Sequence, residues 1–265
     1  MNEAALHASL VADRYRLGER LPSRGGSPAV VYEAVHLLRR KTFALKFVSK
    51  AYWWSDVPAR LRNDREALRG LSHPGLLANL ELEDLGHEYW VLVMEFGQGP
   101  VLADAPLSAD DGLAIFPPIC DAVAALHRRG VVHGYIRPAS IFLGGDTPRL
   151  GDQGFGVDPC PPNVQRLGVR LSPARYLSPE LLVGGQATPQ SDVWALGVLL
   201  AELLGARPFS DRDLPAMRQI FSGGHSLELA GLAAHHASLI RACLGPHESR
   251  PRDAVELCAR FHERV

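Results

Sequence analysis

Three features of the sequence could together hold a phosphorylated ligand. Lys46 follows Ala44 and Leu45 inside the apolar run Thr42–Val48, and an ammonium carried on a strand is a point charge suited to phosphate oxygens. Gly25 and Gly26 lie in a Gly-, Ser- and Pro-rich turn, Ser23–Pro28, where bare backbone amides can approach an anion. Asp152 opens the triplet Asp152–Gln153–Gly154 and offers the hard carboxylate oxygen that Mg²⁺ prefers. Each has a plainer reading when taken alone. A strand lysine is usually a solvated edge residue, and an aspartate beside glycine is usually a turn former.

The elements that would position these groups change character near residue 97. Before it, alternation predicts strands over Tyr15–Leu21, Val30–Ala34, Thr42–Val48, Leu77–Glu83 and Tyr89–Phe96, with one charged helix over Pro58–Leu71. After Gly97–Pro100 the pattern turns helical, over Ala109–Arg129, Ser191–Leu204, Ala230–Leu244 and Arg252–Arg264, with short β pieces in Val131–Leu150. Pro117 and Pro118 predict a break or kink in the first of these helices, since an interior proline costs about 3 kcal/mol. Strands first and helices after predict an α+β fold: a small sheet lobe, a glycine-containing hinge and a larger helical lobe.

The order of the motifs says more than any one of them. After the glycine turn come Val31–Tyr32, Ala44–Leu45–Lys46, His73–Pro74, Val93–Met94–Glu95–Phe96, His133–Gly134–Tyr135–Ile136–Arg137–Pro138, Asp152–Gln153–Gly154, Ser178–Pro179–Glu180, Asp192–Val193–Trp194–Ala195–Leu196–Gly197 and Arg250–Pro251. In this order the chain resembles the eukaryotic-like Ser/Thr protein kinase family in its bacterial form. The resemblance implies a bilobal kinase-like domain over residues 15–265, after an extension of residues 1–14. Its N-lobe would run to about residue 96, its hinge over about 95–99 and its C-lobe from about 100.

The resemblance also implies roles. ATP and Mg²⁺ would be the cofactors. Gly25, Gly26, Val31, Ala44, Lys46 and Phe142 would meet the nucleotide, with Met94 as gatekeeper and Glu95, Phe96 and Gly97 as the hinge at adenine. Asp152 would hold metal. Glu180 and Arg250 would form a buried ion pair, and Asp192 would cap backbone amides around His133. Asp64 stands where the family places the helix glutamate that pairs with Lys46, and Glu66 is the rival if the register slips.

The chain departs from the family's catalytic loop, H-R-D-x-K-P-x-N, which here reads HGYIRPAS. Tyr135 replaces the aspartate that accepts the substrate proton, and a phenol with a reference pKa near 10 is a poor acceptor at pH 7. Gly134 replaces the arginine, Arg137 the lysine and Ser140 the second metal ligand. Gln153 replaces the triplet phenylalanine, and Pro173 the bracing threonine. No threonine lies between Asp152 and Glu180.

These losses favour a pseudokinase that binds ATP and Mg²⁺ as a switch or scaffold for a protein partner, for example an active kinase. Two alternatives stay open: an active or slow Ser/Thr kinase acting on protein, and a nucleotide-free interaction module.

Composition sets outer bounds. With 265 residues, 46% hydrophobic and 22% charged, the chain reads as globular. A formal charge of −1 gives no global case for nucleic acid or anionic membrane. No apolar run is long enough to span a bilayer, and Met1–Leu10 lacks a secretory pattern, so a cytoplasmic location is expected. Cys120, Cys160, Cys243 and Cys258 lack C-x-x-C spacing and read as scattered reduced thiols. His235 and His236 read as a solvated helix face, because adjacent helical residues diverge. Trp53 and Trp54 read as packing beneath the charged helix.

Overall fold

The computed structural model describes residues 13–22, 29–50, 57–85, 89–106, 108–153, 174–182, 185–209, 227 and 229–263. Gly25, Gly26, Trp53, Trp54, Cys160 and Pro173 lie outside the described residues.

The first lobe is one antiparallel sheet. Strands β1 (Tyr15–Leu21), β2 (Val30–His36), β3 (Thr42–Ser49), β4 (Asn79–Leu85) and β5 (Tyr89–Glu95) are ordered β1-β2-β3-β5-β4. Helix α1 (Val57–Ala67) lies between β3 and β4 in sequence. β3 is central, flanked by β2 and β5, and is buried on both faces. Its period of two sorts the side chains. Phe43, Leu45 and Phe47 pack with Tyr15, Tyr32 and Val91 on one face. Ala44 packs with Leu92 and Met94 on the other, and Lys46, two residues on, shares that face. A lysine there is not an edge residue: its side chain is only 5% exposed.

The second lobe is helical. A 3₁₀ turn, Leu102–Asp104, precedes α2 (Ala109–His127). A two-stranded sheet of β6 (Ile141–Phe142) and β7 (Arg149–Leu150) follows, then α3 (Pro179–Leu182), α4 (Pro189–Leu203), α5 (Ala234–Cys243) and α6 (Ala254–His262). α4 is apolar nearly all round and is buried accordingly, with Trp194, Leu196, Val198 and Leu200 fully enclosed.

α2 corrects the expectation of a break at the prolines. It runs unbroken through Pro117 and Pro118, begun by a capping box between Ser108 and Asp111. Two prolines remove two intrahelical donors. Phe116, Ile119, Cys120 and Val123 are all buried around them, and each large apolar side chain returns about 1.5–3 kcal/mol. Tertiary packing outweighs the local cost. The histidine pair is a second correction: the rings of His235 and His236 lie 3.8 Å apart, and His236 is buried against Phe261.

α2 and α4 cross closely at Gly112, where a β-carbon would lie 2.3 Å from the Leu203 carbonyl oxygen. Glycine inside an open helix loses about 1 kcal/mol to alanine. Here the sign reverses: Gly112→Ala is expected to destabilise by about 1–3 kcal/mol through overpacking, read as a lower urea midpoint.

Candidate nucleotide cleft and its degenerate catalytic loop

The hinge begins where β5 ends. The Glu95 carboxylate accepts from both Arg149 Nη atoms, at 2.7 and 2.9 Å, and from the Ala78 N–H at 3.2 Å. Burial alone would raise this carboxyl; the Arg149 and Ala78 donors outweigh it and hold Glu95 below the ordinary carboxylate range. β5 is thereby tied to β7. The chain then crosses at Gly97, where a β-carbon would lie 2.4 Å from the Phe142 ring. That glycine lets the hinge lie flat on Phe142.

Between these elements opens a cleft of about 220 Å³. Val31, Ala44, Met94, Phe96, Gly97 and Phe142 line its apolar end, joined by Leu21, Ala29, Leu77 and Val101. Lys46, Arg137 and Asp152 line its polar end. Leu21, Leu77 and Val101 were not singled out from the sequence, because an apolar residue in a strand or loop carries no mark that it faces a ligand.

Lys46 Nζ donates to Asp152 Oδ1 at 2.8 Å. Asp152 adopts the left-handed conformation, φ +65°, which aspartate tolerates better than most residues. Burial would raise its carboxyl; the Lys46 ammonium, with the Arg137 guanidinium beyond it, outweighs burial and holds Asp152 below the usual range. Ser140 Oγ lies 3.4 Å from Asp152 Oδ2 and 3.4 Å from the Tyr135 carbonyl, long contacts for a hydroxyl donor.

The loop beneath is held by its backbone. Asp192, 1% exposed, accepts from the His133 and Gly134 N–H groups, each at 2.7 Å. It also accepts from His127 Nε2 at 2.9 Å, while His127 Nδ1 accepts the Ala254 N–H at 3.0 Å. His133 Nδ1 accepts the Tyr135 N–H at 3.1 Å, so its Nε2–H donates to the Gly151 carbonyl at 2.9 Å. Burial lowers the His133 pKa and keeps the ring neutral.

Tyr135 does not line the cleft. It is 8% exposed, sits beneath the Arg137 guanidinium at 4.3 Å, and lines a small separate cavity with Tyr176, Leu177 and Leu181. The cation–π contact occupies the ring face. Gln153, buried at 3%, donates through Nε2 to the Leu77 and Leu150 carbonyls at 2.7 and 3.0 Å. An amide thus ties two backbone segments where the family has an aromatic ring.

Asp64 and Glu66 line a different cavity, of about 570 Å³, bounded also by Leu68, Leu80, Leu92 and Gln153. Glu66 is largely exposed and pairs with Arg69 at 2.8 Å, which removes it as the rival for Lys46. Asp64 is half-buried on the same helix. At the start of α4, Arg250 Nη1 donates to Glu180 Oε1 at 2.8 Å, with the arginine side chain 1% exposed.

A five-stranded sheet, a hinge and a helical body around a Lys–Asp pair define a bilobal protein-kinase fold. Residues 24–250 match the family described as protein kinase domain, and the chain belongs to that family, in its eukaryotic-like bacterial Ser/Thr branch. It is 30% identical over 239 residues to the serine/threonine-protein kinase PknL of Mycobacterium tuberculosis, covering 82% of this chain and 59% of PknL. It is 30% identical over 211 residues to PrkC of Bacillus subtilis, covering 73% of this chain and 32% of that one. It is 29% identical over 208 residues to a probable serine/threonine-protein kinase, PknB, of Lactococcus lactis, covering 76% and 33%. The matches thus span about a third to three-fifths of these relatives' lengths. Among the described residues no helix is long and apolar enough to cross a membrane.

The Glu180–Arg250 pair generates a stability prediction. Burial would raise the Glu180 carboxyl, but Arg250 outweighs it and holds it below its ordinary value. A depressed carboxylate stabilises the fold above its unfolded pKa, about 4.3, and loses that contribution as pH falls through the folded value. Glu180→Ala strands the guanidinium and is expected to cost about 3–5 kcal/mol at pH 7 by urea unfolding. Glu180→Gln is expected to flatten the acid limb of the stability–pH curve.

Proposed function

We propose that this chain is a nucleotide-binding pseudokinase: it holds ATP in the hinge cleft, transfers phosphate poorly or not at all, and acts as a switch or scaffold for a protein partner in the cytoplasm. One observation carries this reading. The Lys46–Asp152 pair stands at the polar end of an apolar cleft, while the residue in the proton-acceptor position is a phenol, a poor acceptor at pH 7.

The metal donors are weak. Asp152 supplies the carboxylate at the polar end and already pairs with Lys46; Ser140 adds a neutral hydroxyl. Among the described residues no group of three or more His, Cys, Asp or Glu could hold a metal ion. Mg²⁺ prefers several oxygen donors in near-octahedral array. Two cations beside one carboxylate favour phosphate oxygens over a divalent ion. Lys46 and Arg137 supply positive charge suited to a triphosphate, and Asp152 with Ser140 would be the residues to share Mg²⁺ with its phosphates.

A slow kinase is the second reading, and the position of Tyr135 favours it: among the described residues its ring is not part of the cleft lining. Loss of a general base alone costs roughly 10²–10⁴ in rate, which leaves a reaction carried by positioning still measurable.

A thermal-shift titration separates the readings. ATP at about 100 times its Kd adds about 2.7 kcal/mol, or roughly 5–10 °C in Tm. That shift is expected with ATP and Mg²⁺, and is expected to vanish in Lys46→Met. No shift at millimolar ATP would leave the nucleotide-free module. Transfer of label from γ-labelled ATP to protein, lost in Lys46→Met, would establish the slow kinase instead.

A further inference from the structure

Two of the four cysteines meet, although nothing in their spacing announces it. Cys120 sits on α2 and is 1% exposed; Cys258 sits on α6 and is partly exposed. The Cys258 thiol donates to Cys120 Sγ at 2.7 Å. The Cys120 thiol faces the Ala254 carbonyl at 3.8 Å, at the start of α6. The two helices are fixed against each other on the same side by Phe116 and Phe261, whose ring centroids lie 5.1 Å apart. The sulfurs are therefore already in contact across a packed helix pair. Both thiols are free, as expected of reduced cysteines, but they are not scattered: they touch.

We propose that Cys120 and Cys258 are a redox modification site, joined by a reversible disulfide when the protein meets a peroxide. Exposure sets the order of events. An oxidant reaches the partly exposed Cys258 first. Burial pushes the Cys120 thiol well above its ordinary pKa, so it is the poorer first nucleophile. The Cys258 sulfur attacks one peroxide oxygen, the O–O bond breaks, and water or an alcohol leaves, giving a sulfenic acid. The Cys120 sulfur then attacks the Cys258 sulfur, the S–O bond breaks, and water leaves with the Cys120 proton. In sum two thiols are oxidised and one peroxide is reduced. A thiol reductant reverses the step by exchange.

The pair lies beside the anchor of the catalytic loop. Ala254, whose carbonyl faces Cys120, donates its N–H to His127, and His127 donates to Asp192. The disulfide would staple the helix that carries this link, closing a span of 138 residues. The site is independent of whether nucleotide binds.

The test uses the full chain, reduced, then treated with a small excess of hydrogen peroxide, blocked with an alkylating agent and digested. The expected result is an intact-mass loss of two hydrogens, a linked peptide pair containing Cys120 and Cys258, and full return of both thiols on adding dithiothreitol. Cys243 is the internal control: it is fully buried, its thiol is pushed up by burial to about 12, and it is expected to stay reduced. Cys258→Ser, at a partly exposed position, is expected to fold and to lose the linkage. The proposal is overturned if Cys258 gains oxygen while Cys120 remains alkylatable after unfolding. It is equally overturned if the linked peptides contain Cys160 or Cys243 instead.

Discussion

The Asp192 carboxylate is the constraint on which the helical lobe turns. It is enclosed at the start of α4, and a bare buried carboxylate would cost several kcal/mol. Three donors meet it: two backbone amides of the loop at His133 and Gly134, and the His127 imidazole at the end of α2. The other nitrogen of His127 takes the first free amide of α6. One carboxylate therefore fixes two helix ends and a loop in a single hydrogen-bonded unit. Because charged acceptors make hydrogen bonds roughly twice as strong as neutral ones, the loop's hold on Asp192 does not depend on the side chains at 134 and 135. That explains how Gly134 and Tyr135 can occupy positions where the family has charged residues while the loop still aligns His133 with the Gly151 carbonyl.

From that fixed loop the chemistry has been redistributed rather than erased. The buried Lys46 still finds a carboxylate, and the hinge still lies flat on Phe142. What is gone is an acceptor for a proton. The phenol in its place serves packing, as the underside of a stack with Arg137. Arg137 in turn faces the cleft, where its charge adds to that of Lys46. In the proposed reading, binding rests on Lys46 and the hinge, and what Tyr135 withdraws is the proton acceptor alone.

Much of this was legible in the sequence. All five strands of the sheet appear within two residues of their predicted positions, because alternation along a half-buried sheet leaves a strong signal. Val31, Ala44, Lys46, Met94, Phe96, Gly97, Phe142 and Asp152 share one cleft. The continuity of α2 was not legible, since proline carries a fixed local cost while the packing that offsets it comes from distant residues. Nor was the contact between Cys120 and Cys258, which depends on how α2 and α6 cross. His236 is buried for the same reason: α6 supplies Phe261, and the helix pattern of α5 alone does not reveal it. Glu95 illustrates an intermediate case. Its place in the hinge follows from the motif, but its engagement with Arg149 depends on β7 lying against the segment at Leu76.

Gln153 carries a consequence for substitution at its own position. Its amide is the donor for the Leu77 carbonyl and shares the Leu150 carbonyl with the Leu77 N–H. Restoring phenylalanine at this position would remove that donor and leave a buried carbonyl without its partner, a loss of about 1–3 kcal/mol before any gain from apolar packing. The residue that departs from the family pattern has become part of the scaffold around it. The effect of a single Gln153→Phe change is therefore set by whether the packing of the new ring exceeds the cost of the stranded Leu77 carbonyl.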